Sequence, residues 1–508
     1  VKRDLSKSRL MSFIQCPRRL WLEIHQPQLA EQAEIRSALD IGREVGEIAR
    51  TFYPRGILVG TDGNLASALQ ETAHLMARRS KTPIFEAAFQ HDGIRVRADL
   101  LVPGVGGWNL VEVKSSTSIK EHYLSDVTIQ AHVLQASGVP LRRMTVLCIN
   151  KDFVYPGGGC YHLVKRGQTV HSLFVQQDVT AEMASLIREA VPQWIRDARR
   201  TLAGKKPPRT HHCKDPYPCP FLDHCYPPSS GYPLEGLPRI QEPLLKELHR
   251  QGYQDIRDIP EGVLKHAEQE RVRRVTANGK AELLPEAAKR LTAQDYPRFY
   301  IDFETIQFAA PVWTGTRPYE QLPFQWSCHI ERRTGALEHA EFLDLSGSDP
   351  ARAFAEALLK TLEKKGPVFV YNQAFEGVIL KALGIRFNDL APALRQLASR
   401  FVDLYPLTRK SYCHPDMRGS WSIKAVLPTL APDLDYANLG EVQNGGGAQD
   451  AYREAIAPGI SKKRKMQLER ALREYCQRDT EALVRLAGFL QGTLKRNPAS
   501  TGRRKRTI

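Results

Sequence analysis

Phe299-Tyr300-Ile301-Asp302-Phe303-Glu304-Thr305 decides how the C-terminal part of this chain is read. Apolar residues dominate the stretch, and side chains alternate across a strand, so Asp302 and Glu304 share one face. Two carboxylates among apolar neighbours are costly unless a cation meets them. Further acids follow at long spacing. Val368-Phe369-Val370-Tyr371 reads as a buried strand and runs into Asn372-Gln373-Ala374-Phe375-Glu376. Tyr475-Cys476-Gln477-Arg478-Asp479 lies in a helical pattern, where Tyr475 and Asp479 are i and i+4 and project from one face. Asp302, Glu304, Glu376 and Asp479 can then hold two hard divalent cations, Mg²⁺ or Mn²⁺, ~3.5–4 Å apart, with Tyr475 positioning an attacking water. The bland alternative is a salt-bridged strand end.

A second set of chemical residues lies upstream. Ile94 to Val102 and Trp108 to Val113 read as strands joined by a Gly-rich turn. Asp99 sits on the first, and Glu112 and Lys114 at the end of the second share a face. Asp99 and Glu112 suit a hard divalent cation, and Lys114 would orient or help deprotonate its water, or balance developing charge. Alone, these residues fit a surface salt bridge equally well. A helix from about Val127 to Ala136 then supplies Gln130. With a strand-like run at Ile84 to Phe89 and another at Met144 to Ile149, the order is helix, three strands, helix, strand, an α/β arrangement. A long helix, about Ala181 to Leu202, follows.

Both sets resemble known nuclease families. Residues from about 5 to 230 resemble the RecB-like group of PD-(D/E)XK nucleases, with Gly42-Arg43-Glu44-Val45-Gly46 as the first-helix motif, Asp99 as the metal aspartate, Glu112 and Lys114 as the E-x-K core and Gln130 as the later helix glutamine. Gly46 stands where that family has a metal-binding histidine, and Leu134 where it has a tyrosine; Glu44 or Glu47 would replace the missing ligand. Residues from about 297 to 492 resemble the DEDD exonucleases of the RNase H-like fold, in the variant with a tyrosine in the last motif. There Asp302 and Glu304 match the first motif, Asn372 with Glu376 the second (glutamate replacing aspartate), and Tyr475 and Asp479 the third. Asp403 is either an accessory carboxylate or a cap. The stretch from Gly419 to Pro428 also resembles these exonucleases. As a whole the chain resembles a bacterial fusion of the two. The resemblance implies an α/β fold with a restriction-endonuclease-like domain and an RNase H-like domain, and hydrolysis of DNA from 3′ ends at the second site.

Nine cysteines, an odd number, argue against a disulfide framework. Cys213, Cys219 and Cys225 are evenly spaced after a Pro-rich stretch and suit Zn²⁺ or an iron–sulfur cluster. For zinc, His211, His212 or His224 would complete the set. Cys16 precedes a proline, as Cys219 does, and Cys16 with the C-terminal trio resembles the iron–sulfur nucleases related to RecB. That resemblance implies a structural [4Fe–4S] cluster on Cys16, Cys213, Cys219 and Cys225, tying the N-terminal helix to the loop after the nuclease domain.

Length and composition fit this partition. The 508 residues exceed one ordinary core, at about 150 residues per domain. A formal charge of +16 favours polyanions. No apolar run approaches the ~20 residues of a spanning helix, and the charged N-terminus has no apolar stretch behind it, so the expected location is the cytoplasm. The expected domains are 1–230, the nuclease domain with its four cysteines; 231–295, a helical connector, either inert or a small DNA-contacting hairpin; 296–492, the exonuclease domain; and 493–508, a disordered basic tail. Nucleic acid is the expected partner, DNA ahead of RNA. The alternatives are an iron–sulfur binding module with one live nuclease site, or a subunit of a helicase, repair or defence complex. No Walker-type loop is present, so any motor is another chain.

Overall fold

A computed structural model describes residues 5–31, 36–78, 82–165, 168–208, 213, 215–226, 231–436 and 439–494. His211, His212 and nearly all of the expected basic tail lie outside the described residues. The chain divides into two compact units, both mixed α/β. The first is Val1–Pro228 with Phe308–Tyr319, and the second is Ser229–Gln307 with Glu320–Ile508. Among the described residues no helix is long and apolar enough to cross a membrane.

In the first unit, α1 (Lys7–Gln15) and α2 (Pro17–His25) are followed by α3 (Arg36–Thr51) and α4 (Leu65–Ala77). Ser6 caps α1 by accepting from the Arg9 amide, and Pro17 opens α2, where its missing N–H costs nothing. The strands are β1 (Ile84–His91), β2 (Ile94–Gly104) and β3 (Gly107–Lys114), then α5 (Glu121–Ala136), β4 (Leu141–Ile149) and β5 (Phe174–Asp178). Asp92 and Gly93 join β1 to β2 at φ 45° and 72°, the two-residue turn whose twist suits antiparallel strands. β3 and β4 are parallel, with α5 as the crossover. Short strands at Leu5–Ser6 and Ile57–Leu58 complete a seven-stranded sheet.

Both faces of this sheet are covered. Leu10, Leu20, Ile84, Ala98, Leu101 and Val127 fill one core. Val45, Phe85, Leu100, Val111 and Phe153 fill the other, together with Ala309 and Ala310 from the 308–319 segment. The alternation breaks at one place in β1 and β2 together. Ile84, Ala87, Ala98 and Leu101 join the first core while Phe85 and Leu100 join the second, so the faces swap at Glu86 and Asp99. Glu86 sits there at φ 56°, in the left-handed region a non-glycine residue seldom adopts.

The helix expected over Ala181–Leu202 is two helices, α6 (Thr180–Arg188) and α7 (Ala190–Ala203), because Pro192 can donate no amide and is tolerated only in a first turn. Sequence patterning also gave no sign of α4, or of a hairpin of strands His162–Lys165 and Gln168–Ser172.

The second unit begins with residues expected to form a connector. They are built into its fold: after α8 (Ala267–Asn278), Glu282–Leu283 pairs with Tyr412–Cys413 as a two-stranded sheet. The main sheet holds β6 (Arg298–Ile306), β7 (Leu322–Glu331), β8 (Leu337–Leu343), β9 (Val368–Val370) and β10 (Phe401–Asp403) in the order β8-β7-β6-β9-β10. The first three are antiparallel neighbours, and β9 and β10 run parallel to β6. Helix α9 (Ala351–Thr361) covers one face, where Phe299, Ile301 and Phe303 meet Phe354, Leu358 and Ile379. Among its further helices are α10 (Gln373–Arg386), α11 (Leu404–Ser411) and α12 (Lys462–Gln491).

The opposite face of β6, bearing Asp302 and Glu304, is turned to α12. Polar bonds fix that helix to β7. Gln325 Nε2 donates to Leu472 O at 2.9 Å, and Thr480 Oγ1 lies 2.8 Å from Ser327 Oγ and 2.9 Å from His329 Nδ1. Replacing Thr480 by Val keeps the volume but strips partners from two buried polar groups. We expect Thr480→Val to cost about 1–3 kcal/mol and to lower the thermal midpoint of the second unit by roughly 3–10 °C. An unchanged melting curve would show that these bonds do not hold the helix.

Candidate functional site

Two acidic centres emerge, one in each unit. In the second unit, β6 presents Asp302 and Glu304 on one face and α12 presents Asp479 opposite them. Ligand oxygens of these three residues lie within 4.8 Å of one another, the one such grouping of His, Cys, Asp and Glu among the described residues. Glu376, in the first turn of α10, stands outside this trio but near enough for its charge to act on Asp302.

Glu304, Glu376 and Asp479 are buried and Asp302 half-buried, and the centre is short of compensation. Burial, then the charges of Asp479, Glu304 and Glu376, push Asp302 well above the usual carboxylate range. Burial and Asp479 do the same to Glu304. Burial lifts Asp479 to about 6, against hydrogen bonds from Tyr436 and Tyr475 and the charge of Lys424. Glu376 is pushed up to about 8, by burial and by Asp403. Its Oε2 is buried with no hydrogen-bond partner among the described residues. Hard oxygen donors, an orphaned carboxylate oxygen and unneutralised charge fit Mg²⁺ or Mn²⁺.

Neighbouring residues organise the centre. Tyr436 OH donates to Asp479 Oδ1 at 2.5 Å. Lys424 Nζ sits 5.0 Å from the Tyr436 ring centroid and 5.3 Å from that of Tyr475. Sequence reading found neither Tyr436 nor Lys424 as a site residue, although Lys424 falls within the 419–428 stretch it singled out. Asp403 is a cap. Its oxygens accept from the amides of Asn372 (2.9 Å), Gln373 (3.1 Å) and Tyr405 (2.9 Å), so it fixes the starts of both α10 and α11. The Asn372 side chain is exposed, and its place in the second motif is as the left-handed residue from which α10 departs.

In the first unit, Asp99, Glu112 and Lys114 line one cavity of about 330 Å³ with Gly42, Gly46, Arg50 and Glu86. Lys114 Nζ donates to Glu112 Oε1 at 2.7 Å and to Asp126 Oδ2 at 2.6 Å. Gln130 Nε2 donates to Glu112 Oε2 at 2.7 Å and to Asp126 Oδ1 at 3.0 Å. Lys7 of α1 adds a second ammonium, 2.8 Å from Asp126 and 3.4 Å from Glu112. Burial opposes the charge on Lys7, yet Glu112 and Asp126 hold its pKa above the usual lysine value, and the same balance holds Lys114 well above it. Asp99 is raised to about 8 by burial and Glu112, against the pull of Lys7 and Lys114. Its Oδ2 accepts from the Val113 amide at 2.8 Å.

Glu44 and Glu47 are not among the residues lining this cavity. Glu44 acts on Tyr161, and Glu47 is exposed, 3.8 Å from Arg50. The additional acid on the cavity wall is Glu86, raised by burial and sensing Glu112. It was not legible because its strand loses alternation at that residue. Asp126 and Lys7 were also missed; their spacing from one another and from Glu112 carries no periodic signal.

The cysteines gather without reaching the spacing of the acidic trio. Cys16, Cys219 and Cys225 are buried and Cys213 half-buried, with Cys213, Cys219 and Cys225 packed around Leu22 and Phe221. Burial and then the other three thiols raise Cys213. The segment is pinned to the N-terminal helices: Gln15 Nε2 donates to Tyr217 O at 2.7 Å, Arg18 to Pro207 O at 3.0 Å, and the Glu31 amide to Pro220 O at 2.8 Å. His224, offered above as a zinc ligand, has Nε2 3.2 Å from Lys206 Nζ.

Residues 299–422 match the model of a domain of unknown function, DUF2779. The chain is also similar to the uncharacterized protein MG366 of Mycoplasma genitalium, 22% identical over 40% of this chain and 33% of that protein. Its Mycoplasma pneumoniae homolog is 23% identical over 38% of this chain and 32% of its own length. The chain thus spans about a third of the length of these relatives. No solved structure matches.

Carboxyls raised in the fold keep protons that the unfolded chain releases, so their contribution to stability is complete below the unfolded value and is lost as pH rises through the folded one. With Glu376 at about 8, the metal-free protein should lose stability between pH 5 and 8. Glu376→Gln should flatten that decline, melting above the wild type at pH 8 and level with it near pH 5. Mn²⁺ should restore the wild type at pH 8. Parallel melting profiles for the two proteins in EDTA would remove the case for a strained carboxylate.

Proposed function

We propose that this chain is a metal-dependent nuclease with two active sites, hydrolysing phosphodiester bonds of DNA, and that the second site works as a 3′–5′ exonuclease. The observation that carries this reading is the meeting of Asp302, Glu304 and Asp479 within 4.8 Å, from segments more than 170 residues apart in sequence, around too little positive charge. The order β8-β7-β6-β9-β10, three antiparallel strands followed by two parallel ones, supports an RNase H-like reading of the second unit. Asp99, Glu112 and Lys114 around one cavity support a PD-(D/E)XK reading of the first.

Asp302, Glu304 and Asp479, with Glu376, would hold Mg²⁺ or Mn²⁺. Such an ion supplies Lewis acidity, lowering the pKa of bound water and offsetting charge on the scissile phosphate. Tyr436 fixes the orientation of Asp479. Burial and the nearby carboxylates raise the Tyr475 phenol, so it keeps its proton and can orient a water but not deprotonate it. Lys424 contributes the positive charge a phosphate needs. In the first unit, Lys114 stays protonated between Glu112 and Asp126, which suits balancing charge and not acting as a base.

A second reading, in which the first unit only grips nucleic acid, draws support from its internal neutralisation: both Glu112 oxygens already accept from Lys114, Lys7 or Gln130. The packing of Cys213, Cys219 and Cys225 together, with Cys16 near enough to act on Cys213, supports a structural [4Fe–4S] cluster, with zinc as the alternative. Helicase, repair or defence proteins would be further partners.

End-labelled single- and double-stranded DNA and RNA, incubated with Mg²⁺ or Mn²⁺, separate these readings. Asp302→Asn should abolish removal of 3′ nucleotides by at least about 10²-fold, and Asp99→Asn should abolish whatever cutting remains. Full activity in both single variants would reject the assignment. If the first unit only binds, Asp302→Asn alone leaves no cleavage. Anaerobically purified wild type should be brown and Cys219→Ser colourless; a colourless wild type carrying stoichiometric zinc would decide for zinc.

A further inference from the structure

The second unit holds a groove of about 900 Å³ that none of the readings above has used. One wall is residues 235–239, from the stretch the sequence suggested as a connector. The other walls are 371–372 and 418–423, with Tyr405 and Arg409. Two of these segments run on into the acidic centre. Asn372 starts the helix that carries Glu376 one turn later, and Ile423 precedes Lys424.

Three of the six non-glycine residues with positive φ among those described line this groove: Arg239 (54°), Asn372 (76°) and Arg418 (49°). Such conformations are strained and tend to collect at functional sites. The two arginine loops meet backbone to backbone. Gly419 (φ 76°) lies so close to Gly236 that an added Cβ would sit 1.8 Å from the Gly236 carbonyl oxygen. This contact locks the loops together and sets Arg239 and Arg418 on one groove.

The charges on the wall are not equivalent. Arg409 is committed, bonding Glu268 through Nε and Nη2 at 2.5 Å each. The wall's carboxylate, Glu235, faces His249 at 3.7 Å. Arg239 and Arg418 are exposed, and neither forms an ion pair among the described residues. Tyr405 adds a half-buried ring and Ser420 and Ser422 exposed hydroxyls. Exposed guanidinium groups beside an aromatic ring and hydroxyls are the chemistry that tracks a sugar–phosphate strand.

We infer that this groove binds a single nucleic-acid strand, with Arg239 and Arg418 on successive backbone phosphates and Tyr405 against a base, and leads that strand to the Asp302–Asp479 centre. The inference rests on the nuclease reading for its direction, but the binding it requires can be measured without cleavage. The stretch 231–295 thereby acquires a function: it supplies one of the two phosphate contacts.

The test uses the full chain bearing Asp302→Asn, in EDTA, and fluorescence anisotropy with 5′-labelled oligo(dT) and oligo(U) of twelve nucleotides. Arg239→Gly with Arg418→Gly removes both charges and relieves both left-handed backbones, so the variant should melt no lower than its parent. Binding should weaken at least about tenfold, and the slope of log K against log[salt] should fall by about 1.4, two contacts at ~0.7 each. Arg239→Lys with Arg418→Lys should retain most of the affinity. Equal loss on DNA and RNA supports backbone recognition, and loss on one alone names the preferred strand. Unchanged affinity and salt slope in the glycine variant would overturn the proposal, as would equally tight and equally sensitive binding of a blunt duplex. Intact binding by a protein that cuts nothing would instead tell against the nuclease reading and leave the groove standing.

Discussion

A carboxylate taken out of water must find a proton, a counter-charge or a metal, and the two acidic centres meet that demand in different ways. In the first unit the answer is built in. Lys7 and Lys114 bracket Glu112 and Asp126, and Gln130 donates to both, which leaves Asp99 and Glu86 with raised pKa values, Asp99 with one backbone donor. In the second unit Asp302, Glu304, Glu376 and Asp479 face a single lysine, Lys424, and two tyrosines. The first centre can stand folded without an ion, whereas the second carries a strain that a divalent cation would relieve. That difference ranks the second centre ahead of the first as a place where metal binding and folding are coupled.

The strain is held in place by the scaffold. β6 lies at the centre of its sheet, between β7 and β9, and cannot turn Asp302 and Glu304 outward without exposing Phe299, Ile301 and Phe303 from the opposite face. α12 cannot drift away with Asp479, because Gln325, Ser327 and His329 tie it to β7. The cost of gathering the acids is met by apolar burial on one face and neutral hydrogen bonds on the other, both away from the charges themselves.

Much of this was legible in the sequence where periodicity is strong. Strand alternation put Asp302 and Glu304 on one face, and the i, i+4 relation put Tyr475 with Asp479. What escaped has physical causes. Glu86 is hidden because β1 and β2 distort together at Glu86 and Asp99, where a two-residue period no longer predicts the face. Lys7 reaches Asp126 across more than a hundred residues of chain, and no local pattern encodes such a contact. β10 is three residues long, too short for any alternation to register, so Asp403 could be weighed only as a cap or an accessory acid. The division at Ala190 was masked by the apolar periodicity shared by α6 and α7, although Pro192 marks it in retrospect.

The matched span, residues 299–422, includes β6 to β10, the first two acid-bearing segments and the Arg418 wall of the groove, and it stops before Lys424, Tyr436, Tyr475 and Asp479. That boundary does not separate a scaffold from a site. Gln325, Ser327 and His329 lie inside the span and seat α12: they project from the covered face of β7 and bond the helix's Leu472 carbonyl and Thr480 hydroxyl. Buried polar side chains on this face call for a helix with matching groups, since unpaired they would cost about 1–3 kcal/mol apiece. The span therefore specifies its own missing piece, and the helix that satisfies those bonds is the one that brings Asp479 to Asp302 and Glu304.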